Sequence, residues 1–287
     1  MFRAKKNKKT IGQKIVYTIA FIVIAFFSFS YVYVLLWGFV AGLNTNDGLI
    51  LKPFRFPEVP MWSNYVEIFS EFVVGGVNFG EMTFNSLWLT LGGAFLEVAC
   101  ATGLGYVTSK YKFRGGMAIH FVALLVMMIP IYGSMPARYR LVYQLGINDS
   151  FAYLITYTGG IGFNYLMAYG FFKNVSWAYA EAGFIDGAND FIIFFRIMLP
   201  QALGPLCALF VIQTIGIWND YQNPLLYLKQ MPTLATGLYL YSNEANASGH
   251  LELLMAGTMV SIIPILILYF IFNKALLNET VTGGLKG

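Results

Sequence analysis

Four polar side chains crowd one short stretch: Glu181, Asp186, Asn189 and Asp190 fall within ten residues, and long uncharged segments lie on both sides. Lipid cannot solvate such a group of side chains. No nucleophile or acid–base partner accompanies them, so the chemistry they suit is recognition of another protein's surface. Tyr179 to Pro200 is therefore read as a helical elbow at the membrane face that receives force from a partner.

A second candidate is Glu97, a carboxylate with 15 uncharged residues before it and 12 after. A charge inside a span is a functional residue by default. It could serve as a proton site in a gradient-driven transporter or hydrogen-bond a neighbouring helix. The second role is preferred, because one carboxylate without a second intramembrane charge makes a poor relay. Gln213, Thr214 and Tyr165 are polar groups that could line a hydrophilic path.

Enzyme signatures are absent. No Gly-Lys dipeptide occurs, which excludes a phosphate-cradling P-loop. His120 and His250 lack metal-ligand spacing, and Cys100 and Cys207 sit in apolar stretches as small core residues. Neither a catalytic residue nor a metal site is expected, and no nucleic-acid partner.

The elements that must position these groups follow from composition. Hydrophobic residues make up 57% of the 287, and charged residues only 11% against about 25% in soluble domains. The class is an integral membrane protein. Since about 20 apolar residues cross a bilayer as a helix, six spans are expected: within 15–40, about 84–106, within 117–135, 151–172, 201–218 and 253–272. The uncharged stretch 15–46 is too long for a cleaved signal peptide and is a retained first span.

With the N-terminus in the cytoplasm, the inside segments 1–14, 107–116, 173–200 and 274–287 hold 13 of the 18 Lys and Arg. The positive-inside rule fixes that orientation. Both termini are then cytoplasmic, and so is the elbow between spans four and five. The organisation expected is a basic tail 1–14, a membrane domain 15–273 and a Gly-rich tail 274–287. External loops occupy 42–81, with Pro53, Pro57 and Pro60 near Trp62 and Tyr65 as a folded cap, and 229–252, whose second half reads as an exposed loop tip. Pro130 and Gly133 in span three, and Gly159, Gly160 and Gly162 in span four, are read as kinks, close packing or a solute path.

Within the elbow, Phe184, Ala188, Phe191 and Phe195 recur at helical spacing and should pack on the protein's own bundle. Ala180, Gly183 and Gly187 form a small-residue stripe that should meet the partner. Each glycine costs a helix about 1 kcal/mol relative to alanine, so either a partner backbone approaches closely or the helix bends near Gly187.

These residues resemble a known family. Glu181-Ala182-Gly183, with Gly187 and a closing Leu199-Pro200, is similar to the Glu-Ala-Ala loop of membrane subunits of binding-protein-dependent ABC importers, with Gly183 in place of the usual alanine. Asn85-Ser86-Leu87, Trp218-Asn219-Asp220, Pro232-Thr233-Leu234 with Gly237-Leu238-Tyr239, and the terminal Gly283-Gly284-Leu285-Lys286-Gly287 narrow the resemblance to permeases of maltose-type carbohydrate importers.

The resemblance implies a six-span subunit paired with a second, related permease, two cytoplasmic ATPase subunits and an external solute-binding protein. The chain itself would bind no cofactor; ATP and Mg would belong to the ATPase partners. Ala180, Glu181, Ala182, Gly183, Asp186, Gly187, Ala188 and Asp190 would couple to the ATPase, and Gly283, Gly284 and Lys286 would reach its dimer interface. Tyr241, Ser242, Asn243, Asn246, Gly249 and His250 would touch the binding protein. The alternatives are a self-contained secondary transporter or channel using Glu97, and a membrane-embedded enzyme, which lacks paired catalytic groups.

Overall fold

The computed structural model describes residues 10–128, 135–248 and 250–282. The chain separates into two compact units: one runs to Ile68 and adds Ala245–Val260, and the other comprises Phe69–Glu244 and resumes at Ser261.

In the first unit, α1 (Ile11–Gly42) opens with a capping box. The Thr10 side chain accepts from Gln13 N, and Gln13 Oε1 accepts from Thr10 N at 3.1 Å. Its most apolar window is entirely unburied within the protein. At 1.5 Å per residue the helix is about 48 Å long, enough to cross a hydrocarbon core of about 30 Å. Packing begins only at its end: a Cβ on Gly42 would stand 2.6 Å from the Tyr65 hydroxyl and 3.0 Å from Ala256 Cα, so glycine is what lets these groups close. Beyond it lie α2 (Asn46–Leu51), capped by Thr45, and the start of α3 (Asn64–Glu71). Buried Asn64 donates to Gly42 O at 3.0 Å and Asn44 O at 2.9 Å, while Trp37 Nε1 donates to Pro53 O at 2.8 Å. Residues 42–68 are thus a folded piece held by side-chain bonds to backbone carbonyls.

The second unit begins with a small antiparallel hairpin, β1 (Val73–Val74) against β2 (Val77–Asn78), turned by Gly75 and Gly76 at positive φ. Asn78 and Glu81 form a capping box that starts α4 (Phe79–Lys110). Then come α5 (Gly116–Met128), α6 (Met135–Gln144), a 3-10 turn Phe151–Tyr157, α7 (Phe163–Asn174), α8 (Ala178–Ile185) and the short α9 (Asp190–Ile192). A π-helical stretch, Ile193–Met198, leads into α10 (Leu199–Trp218), followed by α11 (Gln222–Tyr227), α12 (Leu234–Ser248) and α13 (Leu251–Thr282).

Helix α4 is the hub, packing on α5, α7, α10 and the 3-10 turn. Small residues permit this. A Cβ on Gly105 would lie 2.8 Å from Tyr169 N, and one on Gly93 would press on Ile217 and Tyr157. Val98, Tyr106, Phe172, Ala180, Ile193, Met198 and Leu206 make one core; Leu89, Ala94, Val142, Tyr153, Ile217 and Tyr227 make another.

Among the described residues, four helices are long and apolar enough to cross a membrane: Ile11–Gly42, Phe79–Lys110, Asp190–Trp218 and Leu251–Phe272. The expected third span is represented by α5, 13 residues long, and its Pro130 and Gly133 lie outside the described residues. The expected fourth span is not one helix. Gly160 and Gly162 adopt φ of 62° and 150°, which side-chain-bearing residues rarely enter, and they separate the 3-10 turn from α7. Nor does Pro200 end the elbow. It occupies the first turn of α10, where a missing N–H costs nothing, and the helical run continues from Asp190 to Trp218.

Candidate functional site

The elbow is two helices joined by a defined break. Gly187 has φ +81°, Gly187 N donates to Phe184 O at 3.0 Å, and Ala188 N donates to Gly183 O at 2.9 Å. That pair of bonds is a Schellman termination, with glycine in the left-handed position. Asn189 then caps the next helix, its Oδ1 accepting from Ile192 N at 2.9 Å. Of the two explanations for the glycines, the bend near Gly187 is present.

The two faces match the expectation at Ala188, which packs on the bundle core, and at Gly187, which stands in open space, and reverse it elsewhere. Ala180 and Gly183 are buried against the chain's own helices: a Cβ on Gly183 would stand 2.7 Å from Ile197 Cδ1. Phe191 and Phe195 are 75% and 58% exposed, Phe184 is partly covered by the Trp177 ring, and Ile185 reaches 86%. The bend explains the reversal, because it folds Ile193 and Ile197 back over α8, and only alanine and glycine leave room for them. Facing outward on α8 are Ala178, Glu181, Ala182 and Ile185, spaced at three and four residues, with Asp186 next. The exposed surface is therefore apolar at its centre and acidic at its edges. Ala180 and Gly183 are packing residues.

Asp190 ties the elbow to the hub. The Tyr111 hydroxyl, just past the end of α4, donates to Asp190 Oδ1 at 2.6 Å. Burial, and then the bond to Asp190, push the Tyr111 hydroxyl far above its ordinary pKa, so it remains a proton donor. The Trp177 ring meets Tyr111 edge-on at 5.6 Å, and Lys110 Nζ donates to Val175 O. Asp190 starts a helix, where a carboxylate is favoured by the backbone dipole. No spacing rule links residues 79 apart, so Tyr111 could not be found from the sequence.

Glu97 lies about 20 Å along α4 from Lys110. Its Oε1 accepts from Asn164 Nδ2 of α7 at 2.9 Å and from Gln213 Nε2 of α10. One carboxylate thus joins three helices, the hydrogen-bonding role preferred for it. The other proposed path residues are enclosed. Tyr165 is fully buried with its hydroxyl 3.0 Å from Thr108 Oγ1, and Thr214 is buried and donates to Phe210 O at 2.7 Å. Tyr165 and Thr214 therefore line no open surface in this conformation.

At the Phe79 end of α4, motifs far apart in sequence meet. Asn85 Nδ2 donates to Pro232 O at 3.1 Å, and Ser86 Oγ accepts from Leu234 N at 2.7 Å. Asp220 Oδ1 accepts from Asn223 N at 3.0 Å, and Thr236 Oγ1 donates to Tyr221 O at the same distance. The loop tip expected from Tyr241 onward is instead helical to Ser248, as the end of α12. Tyr241 is buried, stacked on Phe72 with ring centroids 4.0 Å apart, so it is a core residue. Asn243 and His250 are exposed and Ser242 is half-buried. The Asn246 side chain, Gly249, Gly283, Gly284 and Lys286 lie outside the described residues.

Residues 101–280, more than half of the chain and including the whole elbow, match the family described as "binding-protein-dependent transport system inner membrane component". The chain belongs to this family. It is a multi-pass component of the inner membrane. The arabinooligosaccharides transport system permease protein AraQ of Bacillus subtilis (strain 168) is 30% identical over 241 residues, covering 80% of this chain and 81% of its own length. The maltodextrin transport system permease protein MdxG of the same organism is 30% identical over 207 residues, covering 71% and 74%. A crystal structure of a bacterial ABC transporter involved in the import of the acidic polysaccharide alginate superposes with a TM-score of 0.77 at 20% identity, covering 94% of this chain and 99% of that one. The chain has this permease fold. Glu97 lies just outside the matched segment and Asn164 and Gln213 inside it.

Proposed function

We propose that this family member is a membrane subunit of an ATP-driven importer of oligosaccharides, forming half of a translocation path with a second permease. It carries no catalytic group and receives the work of two cytoplasmic ATPase subunits at the elbow. An external binding protein delivers the solute. Six spans with both termini in the cytoplasm complete the reading, with α5 and α7 as the cores of spans three and four.

The observation that carries this reading is the surface made by Glu181, Ala182, Ile185 and Asp186. It is exposed, apolar at its centre, acidic at its edge, and joined through Gly187 to a helical run that continues to Trp218. A folded protein leaves such a patch uncovered where another protein docks. Ala188 supports the surface from behind, and Asp190 ties it to Tyr111. The tail residues Gly283, Gly284 and Lys286 would also contact the ATPase, and Ser242, Asn243 and His250 the binding protein. The sugar class rests on the names of the relatives.

The test is purification of the chain with its partners, reconstitution, and uptake of radiolabelled arabinotriose and maltotriose. Uptake should need ATP and the binding protein and survive collapse of the proton gradient at constant ATP. Uptake that ends with the gradient would instead assign the chain to secondary transport through Glu97.

A further inference from the structure

Glu97, Asn164 and Gln213 have a property beyond joining helices. Each amide turns its N–H towards Glu97 Oε1, so each amide oxygen points away from it. Asn164 is 5% exposed, and its Oδ1 is buried without a hydrogen-bond donor. A buried amide oxygen left unpaired costs about 1–3 kcal/mol and calls for a donor that arrives from elsewhere. Gln213 Oε1, on the neighbouring α10, belongs to a half-buried side chain on the side where Gly216 lies. It lies 3.9 Å from where a Cβ on Gly216 would be, and nothing else comes within 4 Å of that point, so this side of α10 is open. Glu97 and Gln213 are themselves only half-buried.

The cluster therefore combines the oxygens of a half-buried carboxylate and a half-buried amide with the buried, unpaired Asn164 Oδ1, far from either end of α4. The chemistry that satisfies this set is a neutral molecule rich in O–H donors. We infer that Glu97, Asn164 and Gln213 form a hydroxyl-binding subsite for the carbohydrate in transit, entered past Gly216. This rests on the importer reading above. The helix-joining bonds hold the amides in place, and the free oxygens do the binding.

The assembled importer, with its ATPase and binding protein, tests this by the ratio of labelled arabinotriose or maltotriose taken up to ATP hydrolysed. Glu97→Gln and Asn164→Ala should each lower that ratio roughly tenfold or more, the loss expected from one hydrogen bond to a charged or buried group. Gly216→Leu places a side chain beside Gln213 Oε1 while leaving in place the Nε2 that bonds Glu97, and should lower it similarly, with the complex still copurifying. A ratio preserved in Gly216→Leu, or uptake and hydrolysis falling together in all three variants, would overturn the subsite and leave the importer reading standing. An unsubstituted complex that carries neither sugar would overturn the importer's sugar class and the subsite with it. A ratio that varies severalfold between about pH 6 and about pH 8, and becomes flat in Glu97→Gln, would assign the carboxylate to protons and also overturn the subsite.

Discussion

Tyr111 and Asp190 are held 2.6 Å apart, hydroxyl to carboxylate, across 79 residues of sequence. That bond fastens the elbow to the end of the hub helix. Tyr111→Phe removes the donor and leaves the ring that packs on Trp177. Because Asp190 is exposed, the loss in thermal stability should be small, about 1 kcal/mol. Uptake per ATP hydrolysed in the reconstituted importer should fall severalfold; an unaltered ratio would show that the bond does not transmit work.

The same bond sets a pH expectation. The folded protein raises the Tyr111 pKa, so the neutral hydroxyl is the favoured form and its contribution is fully present below the ordinary tyrosine value of about 10. It is lost as pH rises beyond that towards the raised value. Unfolding midpoints of the protein and of Tyr111→Phe, measured between about pH 7 and about pH 11, should differ most at the neutral end. A difference that grows with pH would contradict the assignment.

Gly187 adopts φ +81° with open space around it, so backbone conformation alone decides what is tolerated there. Gly187→Ala should cost about 1–2 kcal/mol, and Gly187→Asn less, since asparagine enters this region more readily. Gly187→Pro fixes φ near −65° and should abolish uptake and coupling while the chain still inserts into membranes. Equal behaviour of the alanine and asparagine variants would refute the Schellman account.

Gly105 and Gly103 are two residues apart on α4 and make opposite predictions. A side chain on Gly105 collides with the α7 backbone, whereas nothing lies within 4 Å of a Cβ on Gly103. Gly105→Val should destabilise by about 1–3 kcal/mol and reduce the yield of assembled complex, with Gly103→Val near neutral. Thermal melting of the two purified variants compares them directly.

The sequence was most legible where one residue type dictates the geometry. Glycine costs inside a helix pointed to a bend at Gly187 as one of two explanations, and uncharged runs located three of the four long helices closely and the fourth only from Gln201 onward. Spans three and four were harder, because hydropathy does not register a break such as Gly160 and Gly162 impose. The elbow was misread at Ala180, Gly183, Phe191 and Phe195 for a physical reason: bulky apolar side chains pack inward on an isolated amphipathic helix, but two helices closing on each other need small residues at the contact. Tyr241 was misread because a polar stretch suggested a loop, while its ring found Phe72. The partners of Glu97, which come from 67 and 116 residues away, are visible only in three dimensions.

The run from Asp190 to Trp218 is fastened twice to the hub, at Asp190 through Tyr111 and at Gln213 through Glu97. A beam pinned at two points does not slide; it flexes between the pins. The irregular coil Ile193–Met198 and Pro205 both lie in that interval, where the backbone ladder is least regular. A push on the elbow would thus be spent as curvature between the pins, and stiffness there would set how far the stroke travels.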